Sequence, residues 1–271
     1  MPRLSWDRNK DRKYATGTDH GILFLRNPDG TYSKGVVWNG LTAVSINPSG
    51  GEPTAFWADN AKYLNLLSAE ELSLTIEAYS YPRPFKPCLG RRELVDGVTV
   101  TQQKRQMFGF CFRSLIGNAE EGNDYSYEIH IVYGCTASPS EKSYSTINDS
   151  PEAITLSWEV STLPEVVEGF KPTAHFVFSG PRYKDTGLMN VLRVIEDLLY
   201  GLDDDVYVLD SDGENILDSE GEPVKSFASE PHLPSLQEIQ EVYNSEAFAA
   251  ASDDTMILDS SGSKIRTFVP N

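Results

Sequence analysis

Apolar residues recur at every second position in several stretches of the chain, the pattern of a strand with one buried face. In "ELSLTIEAY" one set is Leu72, Leu74, Ile76 and Ala78, while Glu71, Ser73, Thr75 and Glu77 point the other way. The same alternation places Phe108, Phe110 and Phe112 on one side of a strand, Tyr127, Ile129 and Ile131 on a second, and Ile154, Leu156, Trp158 and Val160 on a third. Two more strands are predicted at 21–26 and 174–178. Pro and Gly clusters, "NPDG", "NPSGG" and "YPRPFKP", punctuate these runs, as turns between antiparallel strands require. The pattern predicts a mainly β protein.

The period changes after these strands. "DTGLMNVLRVIEDLLYG" puts Leu188, Val191 or Leu192, Ile195 and Leu198 or Leu199 on one helical stripe, with Asp185 or Thr186 as the expected cap and Gly201 as the stop. A second helix is predicted from Ser235, where "SLQE" reads as a capping box with Glu238, and Leu236, Ile239 and Val242 or Tyr243 form its apolar side. A short motif repeats around it: "VLDSDGENI", "ILDSEGEPVKSF" and "ILDSSGSKIRTF". Apolar residues flanking Asp-Ser-X-Gly predict hairpins with Gly-containing turns. "FLRNPDGTYSKGVV" has a similar shape. Three units are too few for a solenoid, so these read as hairpin arms.

Charge changes the picture. The net charge of -17 over 271 residues is unevenly placed. Residues 201–271 carry 16 acidic and 3 basic side chains, a balance of -13, which leaves -4 for the first 200. A basic footprint for high-affinity nucleic-acid recognition is missing from this composition. With 39% hydrophobic and 11% aromatic residues the chain can build a substantial core. No apolar run is long enough to span a bilayer, and the charged start does not read as a secretion signal. Three widely spaced cysteines, Cys88, Cys111 and Cys135, with no CxxC pair, predict folding in a reduced, cytosolic compartment.

Candidate chemistry is sparse. "LDDDVYVLDSDGENILDSEG" holds eight carboxylates and no Lys or Arg, which invites a calcium reading. An EF-hand loop needs Gly at position 6 and Glu at position 12, and counting from Asp210 the Gly falls at position 4, so a solvated hairpin is expected instead. Cys111 with His130 or His175 is the one conceivable Cys/His pair, but Cys111 lies between Phe110 and Phe112 and reads as a packed thiol. No nucleophile elbow, zinc-protease, P-loop or dinucleotide motif occurs. The residues predict no enzyme, no cofactor and no metal site.

Long stretches resemble a known family. "LSWDRNKDRKYATGTDHGILFL", "GTYSKGVVWNGLTAVSINPSGGEPT", "WADNAKYLNLLSAEELSLTIEAYSYPRPF", "FGFCFRSLIGN" and "EIHIVYGCTASPSEKSYSTINDSPEAITLSWEVSTLP" are similar to the major tail protein, or tail-tube protein, of long-tailed bacteriophages with non-contractile tails. The resemblance runs over about residues 4–201, and "PHLPSLQEI" is similar to the segment that closes that family's domain. It implies a tail-tube-type β-sandwich or barrel with a flanking α-helix and extended hairpin arms. It also implies homohexameric rings stacked into a tube, through which DNA leaves the virion without specific binding. A tape measure protein and tail-end proteins are the implied partners, the virion tail the implied location, with folding and assembly in the host cytoplasm and no membrane. The expected division is a tail-tube domain at 1–201 with its helix near 186–200, an acidic hairpin insertion at 202–230, a closing segment with a short helix at 231–251, and a hairpin arm at 252–271. The acidic extras depart from the family pattern. A monomeric β-sandwich binding module on a virion, such as a carbohydrate adhesin, is the alternative.

Three expectations about sites follow. Ring-to-ring contact is assigned to the turn-rich connection 38–54, with Trp38, Asn39, Asn47, Pro48, Gly50 and Gly51 as contact candidates, because extended segments of that length are usually functional. The lumen should be polar and short of cations, since Lys and Arg would bind passing DNA. Either Glu71, Ser73, Thr75 and Glu77 or Ser126, Glu128 and His130 would line it. The acidic 203–230 insertion is placed on the outer wall, where six copies meet no steric limit, with the 257–268 hairpin beside it or on a neighbouring subunit.

Overall fold

A computed structural model describes residues 12–68, 70–142, 146, 153–167, 169–186, 188–201 and 230–251, together with two short strands, 257–258 and 264–265. The acidic 202–229 stretch lies outside the described residues, as do the Asp-Ser-X-Gly segments of all three repeats; of the third repeat only the flanking strands 257–258 and 264–265 are described.

In chain order the strands are β1 (Lys13–Leu25), β2 (Val36–Trp38), β3 (Leu41–Gly50), β4 (Pro53–Ala58), β5 (Ala61–Leu67), β6 (Glu70–Ala78), β7 (Arg92–Val95), β8 (Val98–Val100), β9 (Phe108–Asn118), β10 (Gly122–Ala137), β11 (Leu156–Ser161) and β12 (His175–Ser179). A 3-10 helix, Arg83–Leu89, precedes β7. Helices α1 (Gly180–Thr186), α2 (Met189–Tyr200) and α3 (Leu236–Ala251) follow, and then β13 (Ile257–Leu258) and β14 (Lys264–Ile265). Eight strands form one antiparallel sheet in the order β2-β1-β9-β10-β11-β6-β3, with β12 also paired to β10. The pairs β4–β5, β7–β8 and β13–β14 stand apart as two-stranded ribbons.

The large sheet curls over itself. Trp38 in β2 and Trp158 in β11 are separated by three strands, which at about 4.8 Å per spacing would put them roughly 19 Å apart in a flat sheet. Their ring centroids lie 5.5 Å apart. Alternation explains what fills the fold: Leu23, Phe108, Phe110, Phe112 and Val132 face Leu74, Ile76, Ala78, Trp158 and Val160 in one core. Phe85 from the 3-10 helix is packed among them, with Trp38 and Phe108 at 4.5 and 5.3 Å between centroids. The opposite parity, Ile22, Phe24, Cys111, Ile129, Ile131 and Tyr133, makes a second core against Leu192, Ile195 and Leu199 of α2. β1 at 22–24, β9 at 108–112 and β10 at 131–133 are therefore buried on both faces. All three thiols are buried and unpaired, and burial pushes each of them up.

Helical signals hold in part. The stripe of α2 buries Val191, Leu192, Ile195 and Leu199, but the helix starts at Met189 with Leu188 at its cap position. Asp185 and Thr186 belong instead to the end of α1, a helix too short to show a period. At α3 the capping box closes: the Glu238 N–H donates to Ser235 Oγ at 3.2 Å, and the Glu238 carboxylate accepts the Ser235 N–H at 2.6 Å. The segment before it is clamped to the sheet. Tyr133 donates its hydroxyl to Pro234 O at 2.7 Å, Gly35 N–H reaches Pro231 O, and Leu233 is buried. Gly109 permits this approach, since a Cβ there would sit 2.4 Å from Leu233 Cδ2. Residues 26–32 form the expected hairpin link, with Arg26 bridged to Tyr32.

Candidate assembly surfaces

The 38–54 connection is not a loop. Residues 41–50 form β3, paired along their length with β6 from Leu41 opposite Ala78 to Gly50 opposite Glu70. Pro48 and Gly50 are tolerated because β3 is an edge strand, where no second neighbour needs their N–H groups. Trp38 is corrected from contact to core: it is 2% exposed, donates its indole N–H to Ser80 O at 2.9 Å, and packs on Phe85, Phe110 and Trp158. Asn39 stays exposed and its carbonyl accepts from Ser80 Oγ. Asn47 is exposed and reaches Thr75 Oγ1 at 3.4 Å, and the Gly51 N–H donates to Ser68 Oγ at 3.0 Å. These contacts tie the segment to β6 and its flanks, while the outer backbone edge of β3 has no neighbouring strand among the described residues.

What projects is the next element. The β4–β5 ribbon continues the β3–β6 ladder beyond residues 51–52 and 68, and most of it is exposed. Its turn residues Asp59 and Asn60 both have positive φ, 51° and 61°, the requirement of a two-residue hairpin turn matched to strand twist. Register puts Phe56 opposite Leu64 and Thr54 opposite Leu66 on one face, and Pro53 opposite Leu67 on the other; a register shift after Phe56 then sets Trp57 opposite Lys62. Trp57, Tyr63 and Leu67 are 69%, 73% and 69% exposed. Both faces of the ribbon thus carry uncovered apolar side chains, with Thr54, Lys62 and Asn65 interspersed among them. The signal was present in "FWADNAKYLNLL": an Asp-Asn turn between two β-prone runs, without the alternation that marks a half-buried strand.

The two polar sets lie on different surfaces. Glu71, Ser73, Thr75 and Glu77 point away from the first core on β6 and are flanked across the ladder by Ser157, Glu159 and Ser161 of β11 and by Ala43, Ser45, Asn47 and Ser49 of β3. This face carries hydroxyls, one amide and three carboxylates, and no Lys or Arg among these positions.

Ser126, Glu128 and His130 lie instead on the first-core side of β10, beyond the part that β6 and β11 cover. There Glu128 accepts from Ser179 Oγ at 3.0 Å. His130 stacks on Phe112, centroids 4.5 Å apart and planes within 7°, and its Nδ1 meets His175 Nε2 at 3.2 Å while its Nε2 meets Ser114 Oγ at 2.9 Å. Burial pushes both imidazoles down to about 4, so they are neutral near pH 7. The Ser-His-His chain sets a mid-strand hydroxyl beside a neutral imidazole pair. Ser114, in mid-strand, is paired with Thr18 on one side and Glu128 on the other, so its peptide is engaged in the ladder rather than offered to an oxyanion. Cys111 pairs with Ile131 and packs in the second core, on the other side of the sheet from His130. An open depression of about 400 Å³ beside Glu128 is lined by Lys13, Tyr14, Ser179 and Arg182, so this second face does carry cations.

No group of three His, Cys, Asp or Glu side chains suited to a metal ion occurs among the described residues, and no described helix is long and apolar enough to cross a membrane. No protein-family model matches the chain, and no curated protein matches it.

Proposed function

We propose that the chain is a structural subunit that polymerises into stacked hexameric rings, the tail tube of a long-tailed, non-contractile phage, with the curled sheet as its tail-tube-type sandwich. The observation that carries this is the β4–β5 ribbon. A two-stranded ribbon is marginally stable by itself, and one with exposed apolar side chains on both faces gains free energy only when covered on both sides. Insertion between neighbouring subunits does that, at about 1.5–3 kcal/mol for each large side chain taken fully out of water. The free edge of β3 offers a further row of backbone donors and acceptors for pairing with an adjacent sheet.

The face of Glu71, Ser73, Thr75 and Glu77 suits the lumen. It lacks the Lys and Arg that would hold a passing duplex by counterion release, whereas the face around Glu128 has Lys13 and Arg182 beside it. A carbohydrate-binding module remains the second reading because Trp57 and Tyr63 are exposed aromatics. Negative-stain microscopy of the full chain separates the two. Rings or tubes are expected for the wild type and only monomers for Trp57→Ser with Leu66→Ser. A monomeric wild type, even with tail partners supplied, overturns the proposal, and specific capture of that monomer on a glycan array establishes the alternative.

A further inference from the structure

A cavity of about 210 Å³ opens at the far end of the first core, floored by Tyr81, Leu89, Leu156 and Trp158. Arg91, Arg105 and Lys142 stand on its rim with one carboxylate, Glu141. Both guanidiniums are held in place: Arg91 donates to the Tyr81 hydroxyl at 3.4 Å and Arg105 donates to Ala137 O. Each spends one of five donors on that anchoring. Arg92 and Lys104 are exposed nearby in sequence. In a chain of net charge -17, an apolar floor beneath fixed cations calls for an anionic ligand with an apolar flank. The volume is below the roughly 300–1,000 Å³ of small-molecule sites, which fits one or two side chains better than a free cofactor.

We propose that this cavity receives a Leu-Asp-Ser motif from the acidic 203–221 stretch of a second copy of the chain. The stretch holds eight carboxylates without a Lys or Arg, and presents Leu209-Asp210-Ser211 and Leu217-Asp218-Ser219. Its leucines match the aromatic floor and its aspartates match the arginine rim, where charge-assisted, two-pronged hydrogen bonds form. A neighbour is favoured over the chain's own stretch by topology. The stretch leaves after α2 and returns at Pro231–Leu233, and both anchors pack on the second core. The cavity floor packs on the first core, so the β1–β9–β10 sheet separates the anchors from the cavity. The proposal rests on the assembly reading and specifies one subunit contact within it.

Two full-length chains with different tags are co-expressed, one Ser140→Cys and the other Ser219→Cys, and then mildly oxidised. Ser140 lines the cavity, and the three native thiols are buried. A disulfide joining the two tags is expected, weakened at least several-fold by Arg91→Glu and by 0.5 M salt, and partly restored when Asp218→Arg is paired with Arg91→Glu. A chain carrying both cysteines that cross-links only within itself overturns the proposal in favour of self-docking. Absence of any cross-link in preparations that show rings or tubes by microscopy overturns it while leaving assembly intact. Absence of both rings and cross-link defeats the two together.

Discussion

Within 41–78 the β3–β6 pair, the base, and the β4–β5 ribbon, the tip, obey opposite rules. In the base, β6 buries one parity, Leu74, Ile76 and Ala78, and leaves the other, Ser73, Thr75 and Glu77, half-buried. In the tip, β4 and β5 carry apolar residues at both parities and bury neither. Identical backbone pairing therefore serves two ends. The base is stabilised within the subunit, whereas under the proposed assembly the tip would gain its stabilisation from a partner.

The largest contrast should appear on truncating one side chain in each half. Ile76→Ala removes a fully buried side chain, and the lone subunit is expected to lose about 2–5 kcal/mol in urea unfolding. Leu66→Ala should change that stability by no more than about 0.5 kcal/mol while abolishing or strongly reducing polymerisation. Equal destabilisation of the lone subunit by both would show that the tip is packed in the monomer. A smaller effect is expected from the polar parity of the base. Thr75→Lys should leave tubes intact and slow DNA release several-fold, more so at low salt, where screening weakens. Unaltered release kinetics would move the lumen to the face of Ser126, Glu128 and His130.

A pH dependence concerns that second face. His130 and His175 titrate near 4 when folded, against an ordinary 6.5, so below 6.5 the unfolded chain binds protons that the folded chain refuses. Their contribution to stability is whole above pH 6.5 and is lost as pH falls toward 4. Thermal melting between pH 7 and 4 should show this decline, and His175→Phe should flatten it. The same slope in the variant would mean that other groups carry the acid sensitivity.

The uneven legibility of the chain follows from the same contrast. Alternation betrays a strand only when one face is wet. It located β6, β9, β10 and β11 and their inward residues, although Ile154, counted with β11, lies before the strand and is exposed. It failed at β4 and β5 because apolar side chains on both faces leave no period. Pro48, Gly50 and Gly51 suggested a loop where an edge strand lies, since edge position, which excuses Pro, is a property of the sheet and not of the local sequence. Trp38 was misplaced for a related reason: only curling of the sheet brings it against Trp158, four strand spacings away. The stacking of His130 on His175 depends on β12 pairing with β10, a contact between residues 45 apart in sequence that no local pattern encodes.

Burial also divides the three described tryptophans by environment. Trp38 and Trp158 sit edge to face in the core, while Trp57 stands in water on the tip of the ribbon. An indole in water emits at longer wavelength than one in an apolar contact, so the chain carries its own optical gauge of docking. If subunits join through the ribbon as proposed, the emission of Trp57 should shift to the blue while the core pair stays fixed. The difference spectrum against Trp57→Phe then follows polymerisation in real time without any attached dye.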